Sequence, residues 1–138
     1  MCATAENAAG YEWSDARPTC AHRYLWPTVD RILDGLGLSG DQRRVFDLGC
    51  GNAATMAHLA GRGWDVTGVD PSDQGVARAR AEHPGLRVEQ ASAYDDLAGR
   101  FGRFPVVVSL EVVEHVYFPR TYAGTLQSLL APEGTAVV

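Results

Sequence analysis

The stretch Asp47-Leu48-Gly49-Cys50-Gly51-Asn52-Ala53 sets two glycines around a cysteine, with an acid two residues ahead of them. Glycines at that spacing let a backbone turn tightly and approach a ligand, while the amides opening a following helix face it as donors. Asp70 stands 21 positions after Gly49, near the interval of about 20 between a glycine loop and an acid that accepts from both ribose hydroxyls. A second cluster, Glu111, Glu114 and His115, falls at i, i+3 and i+4, so one helical turn would bring the three side chains toward a similar side. Three chemistries fit that cluster. Two carboxylates and an imidazole hold magnesium or manganese, His115 alone serves as a general base, or the acids merely start a helix beside a packed histidine.

The elements around these residues alternate in type. Leu25, Val29, Ile32, Leu33 and Leu36 recur at helical spacing, which predicts a helix over residues 25–36, opening near Pro27 and stopped by Gly35 and Gly37. "RRVFDLG" reads as a strand, "AATMAHLAGRG" as a helix, "WDVTGVD" as a second strand and "PSDQGVARARAEHPG" as a helix with proline near its start. "LRVEQ" gives a third strand, and "FPVVVSLEVV" contains a fourth, apolar enough to be buried on both faces. Tyr122, Leu126, Leu129 and Leu130 mark a further helical face, "APEG" a turn, and "TAVV" the start of a fifth strand. This order predicts an α/β fold of three layers, a doubly wound parallel sheet with right-handed crossovers. The chain stops within the apolar fifth strand, which predicts a fragment whose C-terminal strands are missing. The expected organisation is one domain, 1–138, with a lid and helix segment over 1–40 and a cofactor-binding core over 41–138.

Composition narrows the function classes. The 138 residues are 46% hydrophobic and 21% charged, ordinary for a globular domain. A net charge of -5 without a broad basic patch disfavours nucleic acid as a partner. Three cysteines without paired or zinc-ligand spacing favour a reducing compartment, and neither a leader-like N-terminus nor an apolar run of about 18 residues is present. A cytoplasmic protein is expected.

In a doubly wound sheet, ligands sit at the carboxyl ends of the strands, where Asp47–Ala53 falls. Gly49-x-Gly51-x-x-Ala54 satisfies the fingerprint of NAD(P)- or FAD-dependent oxidoreductases, yet Asp47 would then stand close to the pyrophosphate, and like charges repel. A cationic ligand turns the same carboxylate to advantage. The glycines could also serve only a tight turn, and Asp70 only a helix cap, in a catalytically silent domain.

"VFDLGCGNA" followed by "VTGVDPS" resembles motif I and the strand-two acid of class I S-adenosylmethionine-dependent methyltransferases, whose pattern is D-x-G-x-G-x-G, with Ala53 in place of the third glycine. "EVVEHV" after strand four is similar to the ubiquinone-biosynthesis O-methyltransferase group. The resemblance implies a Rossmann-like class I methyltransferase fold and a donor site built from Asp47, Gly49, Cys50, Gly51, Asp70, Pro71, Ser92, Ala93, Leu110 and Glu111. Asp47 would order the loop near the methionine part, Asp70 hold the ribose, Ser92 and Ala93 meet the adenine, and Leu110 and Glu111 line the sulfonium end. The cluster after strand four also resembles the E-x-x-E-H element of small-RNA 3′-terminal 2′-O-methyltransferases, which implies Glu111, Glu114 and His115 as ligands of Mg2+. The expected reaction is O-methylation of a small molecule, with His115 or a metal ion removing the acceptor proton. The aromatics Tyr11, Trp13, Tyr24 and Trp26 around His22 either cover the crevice as a lid or pack the first helix on the sheet.

Overall fold

The computed structural model describes residues 18–138. Helix α1 (Cys20–Gly35) leads through a short 3-10 turn into strand β1 (Arg44–Leu48), followed by α2 (Ala54–Gly61), β2 (Asp65–Asp70), α3 (Asp73–Glu82) and β3 (Arg87–Gln90). The short helix α4 (Leu97–Phe101), β4 (Phe104–Val108), α5 (Pro119–Leu129) and β5 (Leu130–Val137) complete the order. The five strands form one parallel sheet in the order β3-β2-β1-β4-β5, so the chain reverses direction of build between β3 and β4. The predicted doubly wound α/β class is the one observed.

Parallel strands covered on both sides bury both sets of alternating side chains. Val45, Val66, Val106 and Val108 meet Val29 and Leu33 of α1, Met56 and Leu59 of α2, and Val76 and Ala79 of α3. On the opposite face Phe46, Leu48, Val69 and Val107 meet Leu97 of α4 and Tyr122 and Leu129 of α5. Three layers result, with β1 at the centre of the sheet between β2 and β4.

Two local expectations are corrected. α1 opens at Cys20 rather than near Pro27, which sits inside the helix with its ring exposed. Thr19 starts it, its backbone N–H donating to His22 Nδ1 at 2.9 Å, so the helix gains a capped first turn that the apolar periodicity does not reach. "APEG" is not a separate turn: β5 already pairs at Leu130 with Phe104, and the next pair is Thr135 with Val106. The surplus residues bulge out of the ladder, with Glu133 at φ 62 and Pro132 contributing no donor to the ladder. Among the described residues no helix is long and apolar enough to cross a membrane.

Candidate functional site

The glycine loop begins where β1 ends, at the carboxyl edge of the sheet. Gly49 (φ 88) and Gly51 (φ 53) take conformations that side chains disfavour, and the Gly49 and Cys50 N–H groups each donate to the Val69 carbonyl at 2.9 Å. The Asp70 carboxylate joins loop to strand end: one oxygen accepts from Gly51 N–H and the other from Ser72 N–H, both at 2.9 Å. Each oxygen keeps a second lone pair for a ligand. Ala53 caps α2 in the left-handed region at φ 63, the conformation a glycine would adopt without strain, and Asn52 accepts from Ala54 N–H at 3.1 Å.

The electrostatics follow from burial. Asp47 is 3% exposed, and its Oδ2 meets no hydrogen-bond donor among the described residues. Loss of hydration, with the Asp70 charge added, pushes its carboxyl up to about 7. Asp70 is also raised by burial, against the pull of the Ser72 and Gly51 amides. The Cys50 thiol, buried beside both acids, is pushed well up and packs into the core. Two carboxylates flanking one loop, one of them with an oxygen that meets no donor among the described residues, disfavour an anion beside them and favour a cation.

A methyltransferase-domain family model matches residues 13–138. The chain belongs to that methyltransferase family. Curated relatives of this methyltransferase-family chain include the ubiquinone biosynthesis O-methyltransferase of Cereibacter sphaeroides, 40% identical over 97 residues that cover 68% of this chain and 39% of the relative. The protein of the same name from Aromatoleum aromaticum is 36% identical over 110 residues, 77% of this chain and 46% of the relative. The chain thus spans about two-fifths of the length of the curated relatives it matches. Among solved structures, an S-adenosylmethionine-dependent methyltransferase from Mesorhizobium loti superposes with TM-score 0.63 at 25% identity, covering 81% of this chain and 51% of the other. An amino pentose methyltransferase from Micromonospora echinaspora, solved with S-adenosylmethionine bound, shares the fold with TM-score 0.67 at 24% identity over 88% and 51% of the two chains. Nothing in these likenesses supports the oxidoreductase reading.

The loops after β3 and β4 leave the same carboxyl edge of the sheet as the glycine loop. Ser92 and Ala93 are half-buried; Ser92 N–H donates to Asp95 at 2.8 Å and its hydroxyl accepts from Tyr94 N–H at 3.2 Å. Ala91 N–H donates to the Asp70 carbonyl at 3.2 Å, which fastens this loop to the strand-two acid. Pro71 is exposed just beyond Asp70, and Leu110 packs against the first core face.

The metal expectation is corrected here. Among the described residues no three His, Cys, Asp or Glu side chains gather as a ligand set, so Glu111, Glu114 and His115 are not assembled for Mg2+. The cause is local backbone geometry. Glu111 takes φ 57, outside any right-handed helix, and only Val113–His115 form a 3-10 turn, so the i, i+3, i+4 relation of a helix never arises. Glu114 and His115 remain adjacent, with 3.8 Å between carboxylate and Nε2.

Of the aromatic N-terminal group, Tyr11 and Trp13 lie outside the described residues. Trp26 packs: its indole N–H donates to Thr55 Oγ1 at 3.0 Å and its ring stacks on His58 at 4.2 Å, holding α1 to α2. Tyr24 is 83% exposed.

Several structural partners were not signalled by motif. Gly68 in β2 is one, since a Cβ there would collide with Met56; an isolated glycine inside a strand pattern was its sequence mark. Ser109 and Tyr122 form a buried relay in which Tyr122 donates to Ser109 and Ser109 donates to the Leu48 carbonyl, both at 2.7 Å. No spacing rule marks that pair, 13 residues apart across two elements.

Proposed function

We propose that this chain is the donor-binding part of an S-adenosylmethionine-dependent methyltransferase that acts on an oxygen of a small molecule. The observation that carries the reading is the buried Asp47 carboxylate with a donor-free oxygen beside a glycine loop tied to Asp70. In this reading Gly49 and Gly51 admit the donor to the loop, with Cys50 between them supplying backbone only. Asp47 balances its positive charge, and Asp70 accepts from the ribose hydroxyls with Pro71 bordering that edge. Ser92 and Ala93 border the adenine, while Leu110 and Glu111 border the sulfonium.

The donor supplies an electrophilic methyl and its own leaving group. What falls to the protein is alignment and the exclusion of water. His115, exposed on the rim next to Glu114, takes the acceptor's proton as general base. The O-methyltransferase names of the relatives support an oxygen acceptor, and the negative net charge agrees with a small molecule rather than nucleic acid. Cys20 is disulfide-bonded, which runs against the reducing compartment expected from the cysteine spacing, so no location is part of the proposal.

Titration calorimetry tests the reading. S-adenosylhomocysteine is expected to bind and NADH not to, and Asp70→Ala is expected to weaken the nucleoside ligand by about 1.5 to 3 kcal/mol, as for a hydrogen bond to a charged group. Binding of NADH alone would overturn the reading. Donor binding without methyl transfer to any phenol or alcohol would leave a silent binding domain.

A further inference from the structure

The segment from Glu111 to Phe118 leaves the carboxyl end of β4 and is held at both ends by loops of the proposed donor site. At its start, Val112 lies so close to Gly49 that a Cβ on the glycine would stand 2.5 Å from Val112 Cγ2. At its end, the N–H groups of Tyr117 and Phe118 both donate to the Tyr94 hydroxyl oxygen, at 2.9 and 3.4 Å. The Phe118 ring also meets the Tyr94 ring edge-on at 5.5 Å. Between the two attachments stand Glu114 and His115.

The second attachment is the informative one. The Tyr117 and Phe118 side chains are 88% and 63% exposed, so beyond Val116, which packs on the second core face, burial contributes little at these two positions and their backbone is held by the Tyr94 hydroxyl. Tyr94, by contrast, is half-buried against the second core face. It also belongs to the closed turn made by Ser92 and Asp95, which Ala91 ties to Asp70. A ligand edge that settled against Ser92 and Ala93 would therefore act on the turn from which the Tyr94 hydroxyl reaches the Tyr117 and Phe118 amides.

We propose that Tyr94 is a positioning residue that couples occupancy of the adenosine end of the donor site to the pose of the segment carrying Glu114 and His115. The inference rests on the donor reading above. Its chemistry is simple: one phenolic oxygen accepts two successive backbone N–H groups, so a small shift of the turn moves both amides together.

Residue-resolved amide hydrogen exchange on the whole chain, with and without S-adenosylhomocysteine, tests this. In the wild type, the ligand is expected to slow exchange of the Tyr117 and Phe118 amides by about tenfold or more. Tyr94→Phe keeps the ring and is expected to bind the ligand within about threefold of wild type, while the ligand-dependent slowing at those two amides disappears. Equal slowing in wild type and variant overturns the coupling and leaves the donor reading standing. Failure of the wild type to bind S-adenosylhomocysteine overturns both. Should Tyr94→Phe not fold, Tyr117→Pro removes the nearer donor behind Val116, whose φ -81 and ψ 134 suit a residue preceding proline. With only the Phe118 bond to the Tyr94 hydroxyl left, the ligand-dependent slowing at the Phe118 amide must then be smaller than in the wild type, and an undiminished slowing overturns the coupling.

Discussion

Asp47 is the residue on which pH acts most directly. Its carboxyl is ordinarily near 3.8 and stands at about 7 in the folded chain, because burial and Asp70 both penalise the charge. A raised carboxyl favours the protonated form in the fold, so its contribution to stability is complete below about pH 4 and is lost as pH climbs toward 7. A displacement of that size corresponds to roughly 4 kcal/mol. Without ligand, wild type should therefore lose ground to Asp47→Asn between about pH 4.5 and 7.5 in urea unfolding. A gap between the two proteins that does not change with pH would show that Asp47 is not the titrating group. A bound cation pulls the same carboxyl back down, so S-adenosylhomocysteine, through its ammonium group, should narrow the gap at pH 7.5. This residue was half legible in sequence: its place before Gly49 marked it as unsuited to a pyrophosphate, but the donor-free oxygen emerges only once β2 and β4 close around it.

At the scale of elements, the glycine loop and the segment after β4 form one packed unit. Gly49→Ala would need a side chain at φ 88 and would drive a methyl into Val112. The expected loss is about 2 to 4 kcal/mol, combining backbone strain with overpacking. Val112→Ala removes the obstructing methyls, so the double substitution should cost less than the sum of the two singles in a double-mutant cycle. Strict additivity would mean that the two loops do not touch in solution. The β-α-β units were readable because glycine, proline and apolar periodicity are local signals, and "RRVFDLG", "WDVTGVD" and "LRVEQ" each fall on a strand. The Glu111 to His115 stretch was not, since helical spacing was assumed where the backbone takes φ 57 at Glu111. Periodicity in so short a stretch does not distinguish a helix from a 3-10 turn preceded by a left-handed residue.

For the whole molecule, ligand binding and folding draw on the same sheet. The loops of the proposed site grow directly from β1, β2, β3 and β4, whose side chains build both core faces. A ligand that binds only the folded chain should therefore raise the unfolding temperature progressively with concentration, by an amount worth about 2.7 kcal/mol at a hundredfold excess over Kd. Differential scanning calorimetry with S-adenosylhomocysteine checks this, and a transition temperature unmoved at saturating ligand would contradict it. The other end of the sheet is different in kind. A cavity of about 230 Å³ opens there between Leu36, Leu38, Gln42, Pro105 and the bulged residues of β5, away from the glycine loop. Topology was legible from the alternation of elements; this cavity was not, because it depends on the β5 bulge, which the sequence presented as an ordinary turn.

The contact between Gly49 and Val112 bears on how such a scaffold can diversify. In the proposed function the segment after β4 turns toward the acceptor, and its second residue is also a wall of the glycine loop proposed to hold the donor. Any exchange of that segment for a foreign one would be filtered first by whether it leaves room for the turn at Gly49. On that reading the two loops do not vary independently, and grafts should be chosen with position 112 held at valine or smaller.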